Sequence, residues 1–97
     1  MAKGYLVVTY RSIKDKDKWS AYAKLAAPAI QKHGGRFLVR GMPVKIYEKG
    51  MNERVVVVEF DSVQKAMTAH DSPEYGEALR ALGDGAERDM RVVEGLA

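Results

Sequence analysis

A chain of 97 residues, 30% of them charged, has room for one hydrophobic core and little surplus, because a domain of this size buries only about 60–65% of its unfolded surface. Cysteine is absent, which excludes disulfides and thiolate metal sites and fits a reducing compartment. The net charge of +3 is spread without any long block of like charge, so it reads as a solvated surface and not as a nucleic-acid footprint.

Residues 4–10 (GYLVVTY) predict the first strand, with Tyr5, Val7 and Thr9 on one side and Leu6, Val8 and Tyr10 on the other. The opening MAKGYLVV has no signal-peptide pattern. No apolar run approaches the roughly 20 residues of a bilayer span. A cytoplasmic protein without a membrane partner is expected. A charged connection follows, in which Asp15 or Asp17 suits a helix N-cap.

The first helix is predicted over residues 16–33. Trp19, Tyr22, Ala23, Ala26, Ile30 and His33 recur at three- or four-residue steps and share a face. Pro28 sits inside this pattern, where it removes one backbone donor and predicts a bend or a widened turn. Gly34-Gly35 ends the helix, with Gly34 as the left-handed residue after the cap.

Residues 36–40 (RFLVR) predict a second strand, with Phe37 and Val39 opposite Arg36, Leu38 and Arg40. Gly41-Met42-Pro43 interrupts it, and residues 44–48 (VKIYE) predict a resumed edge strand after a bulge. Residues 54–60 (RVVVVEF) then give the strongest strand signal in the chain. Four consecutive β-branched residues favour the pleated surface. Val55 and Val57 point one way and Val56, Val58 and Phe60 the other, so both faces require cover.

Ser62 starts a helix with Val63, Ala66, Met67 and His70 on one face. Ser72-Pro73-Glu74-Tyr75 is a fresh helix start, with a serine cap, proline at the first helical position and an acid in the first turn. Tyr75, Ala78, Leu79 and Leu82 form its apolar face, and Gly83 and Gly85 end it. Residues 88–94 predict the last strand, with Met90 and Val92 opposing Arg91 and Val93.

The order β-α-β-(β)-β-α-α-β, in a single domain over residues 1–97, predicts an α+β fold of the split βαβ, ferredoxin-like kind. Right-handed crossovers place the first strand beside RVVVVEF in the centre of an antiparallel sheet, with the helices on one face. The other face would be apolar and bare. A second copy is the most economical cover, so a homodimer packed sheet to sheet is expected.

GYLVVTY, AAPAIQKHGGRFLVRG, RVVVVEFDSVQKAMTAHDSPEYGEALR and the closing RVVEG together resemble domain-of-unknown-function family 1330 over nearly the whole chain. The resemblance implies membership of the dimeric α/β-barrel group of ferredoxin-like folds. That group includes monooxygenases without an external cofactor, isomerases, haem-handling enzymes and ligand-binding modules, so the scaffold does not choose among chemistries.

The residues themselves offer several candidates. His70 with Ser72 and Tyr75 combines a base active near neutral pH, helix N-terminal donors and a phenol, which would suit a small carboxylate or enolate. The same residues also describe a capped helix break with a packed aromatic and a satisfied histidine. Arg40 and Glu59 near strand ends could orient a polar ligand in a cleft between sheet and helices; Glu59 could instead pair with an arginine across the sheet, since an unpaired buried carboxylate is unfavourable. Trp19, Tyr22 and Pro28 could line a pocket under the first helix, or Trp19 and Tyr22 could be core residues with polar tips at the surface. His33 and Arg36 could form an anion or proton-transfer site at the helix-strand corner, or His33 could favour the helix C-terminus.

Metal-ligand spacing, glycine-rich phosphate loops and nucleophile elbows do not occur. RVVVVEF lacks the aromatics of an RNA-recognition sheet. No cofactor and no nucleic-acid partner are expected. Two functions remain. One is a small-molecule binding module for an acidic or aromatic metabolite. The other is a cofactor-independent enzyme of the monooxygenase or isomerase kind, working through His70 and Tyr75.

Overall fold

A computed structural model describes residues 2–96. The elements run β1 (Gly4–Ile13), α1 (Lys16–Lys32), β2 (Arg36–Gly41), β3 (Val55–Phe60), α2 (Val63–His70), α3 (Pro73–Leu82) and β4 (Ala86–Glu94). The strands form one antiparallel sheet in the order β2-β3-β1-β4, which is the split βαβ, ferredoxin-like arrangement. The two most apolar strands therefore hold the centre. The register pairs Leu6 with Val58 and Val8 with Val56 on the helix-covered face, and Val7 with Val57 on the other.

Local chemistry sets the helix ends. Asp15 caps α1 by accepting from the backbone N–H groups of Asp17 and Lys18. α1 runs unbroken through Pro28 and stops where Gly34 takes φ +87°. Ser62 caps α2 and Ser72 caps α3, with Pro73 opening the latter. Leu6, Val8, Tyr10, Tyr22, Ile30, Val58, Phe60, Tyr75 and Leu82 fill the core between helices and sheet. Gly4 brings β1 against the start of α2 so closely that a Cβ there would fall 2.6 Å from the backbone of Ser62 and the Cα of Val63.

Four details depart from the sequence expectation. β1 continues to Ile13, past a register shift between Tyr10 and Ser12, where a charged connection was expected. Residues 44–48 form no strand: Glu48 adopts φ 52°, the Gly50 N–H donates to the Tyr47 carbonyl, and the segment closes a turn with no neighbour to pair with. The β2 irregularity falls between Phe37 and Val39, not at Gly41-Met42-Pro43. The extra residue flips the alternation, so Phe37 and Arg40 share the helix side and Val39 faces away. In α2 the buried positions are Ala66 and Ala69, while Met67 is exposed.

Candidate functional site

A gap separates part of α1 from the sheet. Ala23, Ala26 and Ala27 face it with little bulk, between the larger Trp19 and Ile30. A cavity of about 270 Å³ results, walled on the sheet side by Leu6, Val8, Tyr10, Val56 and Val58, with Phe37, Arg40 and Arg54 also lining it. That is about nine liquid-water volumes, the scale of one ring with short substituents. The lining is apolar apart from a few tyrosine and tryptophan polar atoms and two arginines.

The polar atoms are organised. Tyr22 and Tyr75, from α1 and α3, both line the cavity, with hydroxyls 2.7 Å apart and rings edge to face at 6.0 Å. Arg88, arriving from β4, donates from Nη1 to the Tyr22 hydroxyl at 2.8 Å. Trp19 Nε1 donates to the Tyr10 hydroxyl at 3.1 Å. Burial pushes the Tyr22 hydroxyl pKa well up, Tyr75 adds to the rise and Arg88 opposes it, so Tyr22 stays a neutral phenol at physiological pH. When Tyr22 passes its proton toward Tyr75, the donors run in one direction from the guanidinium, each polarising the next. The Tyr75 O–H is then left for a group in the cavity.

The residues singled out from the sequence separate into three groups. Tyr22, Tyr75 and Arg40 line the cavity together, and Trp19 joins them. Pro28 is exposed and outside the lining. His70 lies at the α2–α3 junction: its ring sits 5.2 Å from that of Tyr75, yet its Nδ1 is 3.0 Å from the Asp71 carboxylate and the imidazole does not line the cavity. Ser72 is spent on the helix break, accepting from the Tyr75 N–H at 3.2 Å and donating to the Ala69 carbonyl at 2.8 Å.

Glu59 is on the opposite face of the sheet from the cleft, where it accepts from Tyr5 and from Arg36 Nε, each at 3.0 Å. Those bonds, Tyr5 first and Arg36 second, hold its carboxyl below the usual range. The pairing alternative therefore describes its surroundings. Arg36 also donates to Asp61 at 3.0 Å, and His33 meets Glu74 at 3.0 Å, so the helix-strand corner is an ion-pair cluster.

Sequence reasoning passed over Arg88 and Arg54. Arg88 shares strand parity with the inward-facing Met90 and Val92, and that parity was the available signal. Arg54 looked like the polar start of a strand. It lies over the Trp19 ring, 5.2 Å from its centroid. Among the described residues no cluster of His, Asp and Glu could hold a metal ion, and no helix is long and apolar enough to cross a membrane.

Solved structures resemble the whole chain. A protein of unknown function from Rhodopseudomonas palustris matches with a TM-score of 0.75 and 15% identity, over 99% of this chain and 84% of its own. A provisionally assigned antibiotic biosynthesis monooxygenase from Caulobacter crescentus CB15 matches at 0.64 and 12% identity, over 99% and 92%. A dimeric ferredoxin-like protein of unknown function from Thermobifida fusca YX matches at 0.58 and 15% identity, over 98% and 92%. At these identities the likeness establishes the fold alone. No functionally curated protein matches the sequence. The model of the family described as Domain of unknown function (DUF1330) matches residues 3–96, and the chain belongs to that family.

Proposed function

We propose that this protein binds a small metabolite of acidic or aromatic kind in the cleft between α1 and the sheet, and that it does so as a cytoplasmic homodimer. The cavity carries the reading. It is apolar, ring-sized and supplied on one side by the paired hydroxyls of Tyr22 and Tyr75. The dimer is supported by the sheet face away from the helices, where Val39, Val57 and Val7 follow one another across three strands and Tyr5 meets Val93. Val39 and Val93 are each nearly half exposed in the single chain. A relative of the same fold is described as dimeric.

Thermal-shift screening against small carboxylates and phenols tests the binding site. We expect at least one such compound to raise the melting temperature of the wild type, Tyr75→Phe to blunt that rise, and His70→Ala to keep most of it. A wild type that no compound stabilises, or a Tyr75→Phe variant responding like the wild type, refutes the site.

One observation favours a second reading, a cofactor-independent enzyme of the monooxygenase or isomerase type. The Arg88–Tyr22–Tyr75 chain would stabilise negative charge developing on a substrate oxygen. In that case Tyr75 is the catalytic residue at the substrate, and His70, packed against its ring, acts only through it. Enolisation of a bound carbonyl compound, with solvent base taking the C–H proton and the Tyr75 O–H donating to the enolate oxygen, would appear as solvent deuterium exchange into that C–H; its loss in Tyr75→Phe would support this reading, and unchanged exchange would refute it.

A further inference from the structure

The arginines of this chain divide by their partners. It has seven, at positions 11, 36, 40, 54, 80, 88 and 91. Arg11 and Arg91 each meet Asp89, Arg36 meets Glu59 and Asp61, and Arg80 meets Glu77. Arg40, Arg54 and Arg88 have no carboxylate at ion-pair distance among the described residues. These are the three arginines at the cavity. Arg40 and Arg54 line it, and Arg88 donates to Tyr22 in its wall.

Each of the three also lies on an aromatic ring. Arg40 is 4.7 Å from the Phe37 centroid, Arg54 is 5.2 Å from that of Trp19, and Arg88 is 4.7 Å from that of Tyr22. Stacking of this kind fixes a guanidinium plane but leaves its N–H edge free for an oxygen acceptor. The residues lining the cavity include no aspartate or glutamate. A cavity walled by apolar groups and lined by guanidinium groups lacking carboxylate partners has the charge of an anion site, with Arg40 exposed and Arg54 part-buried so that an anion can reach them.

Resting on the binding reading above, we infer that the ligand is a planar carboxylate, its ring between α1 and the sheet and its anionic group held by Arg40 and Arg54. A second oxygen on the ring meets the hydroxyls of Tyr22 and Tyr75. Arg88 touches neither end; it is a positioning residue that polarises Tyr22. Arg40 and Arg54 come from β2 and from the residue before β3, whereas the hydroxyls come from α1 and α3, so the two oxygens are read by different elements.

The probe that tests this is para-hydroxybenzoate against its methyl ester, titrated calorimetrically into the full chain. The acid should bind about tenfold or more tightly than the ester, and the preference should weaken with added salt. In the double variant Arg40→Gln/Arg54→Gln the acid-to-ester ratio should fall toward one, with residual ester binding reporting that the variant is folded. Arg40→Lys, which keeps the charge but loses the fork, should retain part of the preference. Equal binding of acid and ester by the wild type overturns the inference and leaves the cleft standing as a site for neutral compounds. A preference that survives in the double variant also overturns it. Binding of neither compound removes both the inference and the para-substituted ring as a ligand for the cleft.

Discussion

Glu74 illustrates how one side chain ties two elements and sets a pH range. It sits in the first turn of α3 and reaches α1, where the Lys32 ammonium donates to it and His33 Nε2 lies 3.0 Å away. The His33 contact first, and the Lys32 contact second, lower its pKa from 4.5 to about 2. A carboxylate with a depressed folded-state pKa adds stability above its unfolded value and loses it as pH falls toward the folded one. The melting temperature of wild type should therefore exceed that of Glu74→Gln above about pH 5, and the gap should close as pH falls to about 2. A gap independent of pH would mean that Glu74 acts through helix capping or packing and not through its charge. Glu74 keeps contact with solvent, so screening keeps the effect modest.

Among elements, β1 and α2 meet backbone to backbone at Gly4. A methyl group at Gly4 would meet backbone atoms of Ser62 and Val63 at 2.6 Å, and backbone cannot swing aside as a side chain does. Gly4→Ala should lower unfolding free energy by about 1–3 kcal/mol, whereas Gly41→Ala, with nothing within 4 Å of the added methyl, should leave it nearly unchanged. Urea unfolding of the two variants checks this, and equal midpoints would refute the steric account.

The same elements separate what periodicity can and cannot reveal. β3 was legible because consecutive valines have few other good conformations, and α3 because Ser72, Pro73 and Glu74 each favour a helix start for an independent reason. Residues 44–48 alternate like a strand, but alternation records only which faces a strand would have. It does not say whether a neighbour exists to hydrogen-bond with it, and here the chain turns at Glu48. One inserted residue near Leu38 reverses every later side chain of β2. That is why Arg40 read as opposite Phe37 when it shares its face. Of the site, Tyr22, Tyr75 and Arg40 could be named from the sequence, but their conjunction with Arg88 could not. It depends on a contact between residues 66 apart in the chain.

At the scale of the whole molecule, the sheet is covered on one side only. Val7, Val39, Val57 and Val93 occupy the uncovered side beside Tyr5, and the segment between β2 and β3 adds exposed Met42, Val44, Tyr47 and Met51. Val57 is central, paired with Val7 on one side and Val39 on the other. If a second copy hides this surface, Val57→Lys should shift the sedimentation mass from two chains to one at micromolar concentration while leaving the far-ultraviolet circular dichroism intact. A wild type that already sediments as one chain would show that the face is tolerated in water. Because the cavity lies on the other side of the sheet, the Lys variant should still take up ligand, which keeps assembly and binding experimentally independent.

The chain has a single tryptophan, and it stands in the wall of the cleft with its indole N–H tied to Tyr10 and a guanidinium over its ring. Its emission is thus a built-in optical gauge of that space. Anything that displaces Arg54 or excludes water from the indole would change intensity or wavelength, so occupancy can be followed in unmodified protein, with no dye and no competing signal from a second indole.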